Sequence, residues 1–148
     1  MTVHVYIAGP MSSVGGNFNF PLFDRVADLL RAQGAYVFNP ADHARKNLGT
    51  LEQIMKLDKR ELRHARKALM LDEMIWIHNY AQGVVLLPGW ERSPGAKAER
   101  EWALALGIPI REINTTLLPI EPLPKAWGGK WFPDFKSILD DSSKQADT

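Results

Sequence analysis

The chain has 148 residues, 45% of them hydrophobic and 24% charged, with a net charge of +1. That length predicts one domain with a real core, and the balanced charge gives no global pull toward nucleic acid or a membrane surface. The absence of cysteine excludes a disulfide framework, a thiolate metal site and a Cys nucleophile together.

The four histidines, His4, His43, His64 and His78, show no HExxH or similar ligand spacing, so neither a metal nor another cofactor is expected. No stretch approaches the roughly 20 apolar residues of a membrane span. The start MTVHVYIAGPM lacks the basic segment of a signal peptide, which makes a cytoplasmic location the expectation.

In chain order, Val3 to Ala8 is a short β-branched run ended by Gly9-Pro10, and it reads as the central strand of a parallel sheet. The Gly/Ser-rich loop Gly9 to Asn17 matches neither GxxxxGK[ST] nor GxGxxG. Its backbone amides suit a phosphate or sugar, and a plain connecting loop is the equal alternative. Pro21 to Gln33 has helical periodicity with Leu22, Phe23, Val26, Leu29 and Leu30 on one side, and Gly34 ends it. Ala35 to Phe38 is a second strand, stopped by Asn39-Pro40. Asn39, Asp42 and His43 then lie past its carboxyl end, as ligand contacts or as cap and turn residues.

Leu51 to Asn79 is helical in pattern, as one helix or as two with a break, and a continuous helical phase places six cations (Lys56, Lys59, Arg60, Arg63, Arg66, Lys67) on one stripe. Such a stripe is first a solvated face and second a surface for nucleic acid or a phosphorylated ligand. The same phase puts Asp58, Glu61 and Asp72 inside the apolar arc, where a carboxylate is costly unless paired or functional. Gly83 to Leu87 is a third, continuously apolar strand, and Ile108 to Ile113 a fourth.

Between these strands lies LLPGWERSPGAKAE, residues Leu86 to Glu99. Ser93 is a good N-cap and Pro94 suits the first helical position of a helix running to Leu106. Gly95 permits close approach of a ligand to the amides of that helix end, where an anion is favoured. Glu99 follows one turn on. Periodicity leaves Glu99 and Glu101 both with apolar neighbours, so it does not choose between them. With no GxSxG elbow and no Ser-His-Asp order, paired carboxylates are the remaining tool, and these serve glycosyl transfer.

The alternation of strands and helices predicts a flavodoxin- or Rossmann-like α/β domain over residues 1–113, with about four to five parallel strands and helices on both faces. Residues 114–136, with Trp127, Trp131, Phe132 and Phe135, read as an irregular Pro/Trp-rich arm packing on the domain or a partner subunit. Residues 137–148 read as a disordered tail.

YIAGPM at the start, a strand ending in Asn39-Pro40, and LLPGWERSPGAKAE together resemble the nucleoside 2-deoxyribosyltransferase superfamily, and within it a branch frequent in phage genomes. The Ser-x-Gly-x-x-x-Glu pattern of the related deoxynucleoside 5′-monophosphate N-glycosidases appears here as Ser93, Gly95 and Glu99. The resemblance implies Glu99 as the nucleophile, with Ser93 and Gly95 on phosphate or sugar. It implies a substrate-holding first loop with Tyr6, Gly9, Pro10, Met11, Ser12, Gly15, Gly16 and Asn17, beside Asn39.

The second carboxylate is best matched by Asp72, four residues before Trp76, with Glu73 the alternative. Two departures stand out: Gln82 where relatives carry Asp, and a longer LPGWERSPG loop. The implied activity is cleavage of the base–sugar bond of a (deoxy)nucleoside or its 5′-monophosphate, by hydrolysis or transfer, in a homo-oligomer. The alternatives are a non-catalytic nucleotide-binding protein on the same fold, a phosphoribohydrolase of the cytokinin-releasing type, and a nucleic-acid-associated factor using the basic stripe.

Overall fold

The computed structural model describes residues 2–11 and 17–113. Ser12, Gly15 and Gly16 of the first loop, the expected arm 114–136 and the tail 137–148 lie outside the described residues.

The first strand, β1 (His4–Ala8), is the spine of the molecule. Its side chains alternate between the two sheet faces, Val5 and Ile7 to one and Tyr6 and Ala8 to the other, and all four are buried. A strand buried on both faces belongs inside a parallel sheet. β1 pairs in parallel with β2 (Tyr36–Phe38) on one side and β3 (Gly83–Leu86) on the other, and β3 pairs with β4 (Ile110–Glu112). The parallel α/β class is the one expected from the sequence, and the strand order is β2-β1-β3-β4. It reverses direction between β1 and β3, so the carboxyl ends of these two strands diverge into loops that leave a crevice. Gln82 closes the other end, its Oε1 accepting from the His4 amide at 2.9 Å. Gln82 therefore ties β1 to β3.

One face of the sheet is covered by α1 (Phe20–Ala32), α2 (Pro40–Leu48) and the short α3 (Leu51–Met55), around Val5, Ile7, Phe23, Val26 and Leu30. The other is covered by α5 (Pro94–Ala105) and the carboxyl half of α4 (Lys59–Tyr80), around Tyr6, Ile77, Val84 and Ala103. Among the described residues, no helix is long and apolar enough to cross a membrane.

The long helical stretch does break, between Met55 and Lys59, and the break corrects the phase drawn through it. Asp58 and Glu61 are exposed residues of a capping box: Asp58 Oδ1 accepts from the Glu61 amide at 2.8 Å, and Glu61 Oε1 from the Asp58 amide at 2.9 Å. They satisfy free amides of a helix start and stand outside the apolar arc. α2 has a local cause that also decides the role of Asn39. The Asn39 Oδ1 caps the helix by accepting from Ala41 N at 3.0 Å, its Nδ2 donates to Asp24 Oδ1 at 3.0 Å, and Pro40 fills the first helical position. Arg45 bridges Asp24 and Asp42 and pins α2 to α1.

Candidate active site

A cleft of about 390 Å³ opens at the divergence of β1 and β3. Tyr6 and Gly9 from the end of β1, Ser93 to Ala96 and Glu99 from the start of α5, and Arg63, Arg66, Lys67, Met70 and Glu73 from α4 line it. The α5 end is built as its residues require. Ser93 Oγ accepts from Ala96 N at 3.2 Å, and Pro94 occupies the first turn without wasting an amide. A β-carbon added at Gly95 would meet only Met70 Cε, at 3.9 Å, so its backbone lies open to the cleft. Gly9 is different. A β-carbon there would stand 2.7 Å from Leu87 Cβ, so glycine is needed for the first loop to lie against the end of β3.

At the floor, Tyr6 Oη donates to Glu99 Oε2 at 2.6 Å, the short distance of a bond to an ionised acceptor. Tyr6 is fully buried and Glu99 is 6% exposed. The choice that periodicity left open is thus decided: the Glu101 side chain is 71% exposed and paired with Arg100. Glu73, half-buried on α4, lines the same cleft, and its carboxyl group feels the charge of Glu99.

The environment pushes these two carboxyl groups apart. Burial, then the charge and hydrogen bonding of Glu99, raise Glu73 to about 9, against a smaller opposing pull from Arg66. Burial raises Glu99 only to about 7, because hydrogen bonds from Tyr6 and Glu73 favour its ionised form. Burial and the neighbouring carboxylates hold the Tyr6 phenol well above its usual range, so it remains a donor. At neutral pH the arrangement is a protonated Glu73 and a readily ionised Glu99, the division of labour that an acid and a nucleophile need.

Asp72 is not part of this group. Its side chain is 57% exposed, with Oδ2 3.3 Å from His43 Nε2 on α2. A single step along a helix turns a side chain by about 100°, which separates Asp72 from the cleft and puts Glu73 in it. The expectation for Asp72 is corrected to its neighbour.

Of the expected binding residues, Tyr6, Gly9, Met11, Ser93 and Gly95 line the cleft. Pro10 is buried beside it, its carbonyl accepting from Asn19 Nδ2 at 2.9 Å. Asn17 is exposed, and its Oδ1 accepts from the Asn19 amide at 3.0 Å in the turn before α1. Asn39, as its hydrogen bonds show, is committed to the fold. Sequence reasoning did not assign Arg63, Arg66 and Lys67 to the cleft. Their spacing of three and four residues to Met70 and Glu73 is the signal that marks this face. Among the described residues, no cluster of three or more His, Asp and Glu side chains is placed to hold a metal.

A parallel α/β protein with one buried and one half-buried carboxyl group at its strand-switch crevice is the class defined by fold and cleft. The model of the family described as domain of unknown function DUF4406 matches residues 3–112, and the chain belongs to that family. No curated protein matches the chain.

Proposed function

We propose that the protein is an N-glycosidase or 2-deoxyribosyltransferase acting on the base–sugar bond of a (deoxy)nucleoside or its 5′-monophosphate. The observation that carries this reading is the buried Tyr6–Glu99 pair with the half-buried Glu73 beside it in the cleft. Placing a half-buried carboxyl group beside a buried one is unfavourable for structure alone, and the surroundings raise the pKa of Glu73 further than that of Glu99. In the proposed reaction, a Glu99 oxygen forms a bond to C1′ as the C1′–N bond breaks. Glu73 gives its proton to the departing base, and Tyr6 holds Glu99 in line. Water then cleaves the glycosyl–Glu99 ester, returning a proton to Glu73; a second base in place of water gives transfer.

The resemblance to the deoxyribosyltransferase superfamily supports the reading, with Glu73 taking the part first assigned to Asp72. It brings with it a homo-oligomer in the cytoplasm, and the exposed Leu71, Ile75 and Trp102 on α4 and α5 are suited to contact a second copy. The test is incubation with a panel of ribo- and deoxyribonucleosides and their 5′-monophosphates, with and without an acceptor base, following free base and base exchange by chromatography. Release or exchange by the wild type that falls by roughly 10³-fold in Glu99→Gln is the expected result. A wild type inert toward the whole panel refutes the proposal.

A further inference from the structure

The floor of the cleft and its rim carry opposite chemistry. The carboxyl groups lie deep, whereas the rim along α4 carries Arg63, Arg66 and Lys67, all exposed. Among the described residues, none of the three forms an ion pair; the ion pairs are made by Arg31, His43, Arg45 and Arg100. Glu73 keeps its proton at neutral pH and so leaves Arg66 without an ionised partner there. Three cations facing one buried carboxylate give the cleft an excess of positive charge.

The first turn of α5 adds to that excess. Its Gly95 backbone is open to the cleft, and helix-start amides favour an anion. The positive surface also has a direction. Arg60 lies one turn before Arg63 on the same side of α4, and Arg60, Arg63 and Lys67 follow one another at spacings of three and four residues. They form a row of about 10 Å leading out of the cleft. A single phosphate at the α5 end would leave the outer part of this row facing solvent.

We propose that the cleft takes a nucleotide carrying a chain of two or more phosphates, with the first phosphate between Arg66 and the start of α5 and the next along Lys67 and Arg63 toward Arg60. This deepens the glycosidase reading and rests on it for the nucleoside end of the ligand; the phosphate end rests on the α4 row. Guanidinium groups suit such a chain because each can grip two phosphate oxygens at once. Lying in reach of solvent, they contribute an affinity that weakens with added salt.

The test is calorimetric titration of Glu99→Gln, which binds without turnover, with the nucleosides of the common bases and their 5′-mono-, di- and triphosphates. For at least one base, binding is expected to tighten by about tenfold from nucleoside to monophosphate and about tenfold again to diphosphate. In Glu99→Gln carrying Arg63→Glu and Lys67→Glu as well, the second step is expected to vanish while the first remains. Inorganic tripolyphosphate is expected to compete with the diphosphate in the parent variant.

Monophosphates that bind as tightly as di- and triphosphates overturn the inference. So does a second step that survives both charge reversals, a single-stranded oligonucleotide that outcompetes every mononucleotide, or absence of binding throughout. The glycosidase reading is judged separately, by base release from the wild type. A phosphate ladder without base release defeats that reading alone, and base release without the ladder defeats only the phosphate chain.

Discussion

Helices α1 and α4 flank the same sheet and are built for different work. The 13 residues of α1 bury Phe20, Phe23, Val26, Ala27 and Leu30 in one stripe. The 22 residues of α4 bury only Leu69 and Ile77, one in each of the two cores. Its remaining surface is divided between the cleft, with Arg63, Arg66 and Glu73, and an exposed apolar side, with Leu71 and Ile75. The difference teaches that a helix whose sequence yields a clean apolar stripe is holding the fold. A helix whose stripe is broken by charge is holding a site.

The comparison is sharpened most by substitutions on α4 itself. Glu73→Gln removes the proposed proton donor and is expected to lower base release by ~10²–10⁴-fold. Asp72→Asn, one residue earlier but turned toward His43, is expected to cost less than about fivefold. Steady-state rates on the same substrate decide between them, and equal losses would erase the distinction drawn at the site.

On α1, Leu30→Ala is expected to destabilise the protein by about 2–5 kcal/mol, the cost of a cavity where the side chain was fully buried. Urea melts monitored by circular dichroism check this. A loss under about 1 kcal/mol would contradict a core-building role for α1.

The pH dependence follows from carboxyl groups whose pKa values are raised on folding. From the ordinary carboxylate value up to about 9, the folded protein binds more protons at Glu73 and Glu99 than the unfolded chain does. Stability contributed by the pair is therefore complete at acid pH and lost as pH rises through this window. Glu73→Gln should therefore flatten the decline in melting temperature toward alkaline pH. A wild type that gains stability between neutrality and pH 9 would contradict the buried protonated state. Activity should follow a bell, rising as the pair loses its first proton near 7 and falling as it loses the second near 9.

Tyr6→Phe deletes a bond that lowers the Glu99 pKa. Its acidic limb should move to higher pH, with the maximal rate down by about tenfold. An unmoved limb would mean that the tyrosine only packs. The smallest effect is expected from Met55→Ala at the end of α3, within about 0.5 kcal/mol, because Met55 is exposed. The same melt that reports Leu30→Ala measures it.

Much of this architecture is legible in the amino-acid sequence. The apolar β-branched runs, the amphipathic helix after the first loop and the Ser93-Pro94 helix start all depend on neighbours in the chain, and backbone sterics and capping act at that range. The helix after Asn39 was harder to read, because Asn-Pro stops a strand as readily as it caps a helix. Asp58 and Glu61 were placed on the wrong arc because their phase was carried across a break of three residues.

Sequence alone therefore determined the parallel α/β class, the central place of the first strand, and Ser93 as the cap of the helix after the third strand. Only the tertiary structure showed Glu99 buried and Glu101 exposed, where periodicity left both open and resemblance alone implied Glu99, put Glu73 rather than Asp72 in the cleft, and turned three cations of α4 into its rim. The physical reason is that a helix presents every side chain somewhere, at about 100° per residue. Which direction is inward is set by what packs against the helix, and here that was decided by strands and helices distant in the chain.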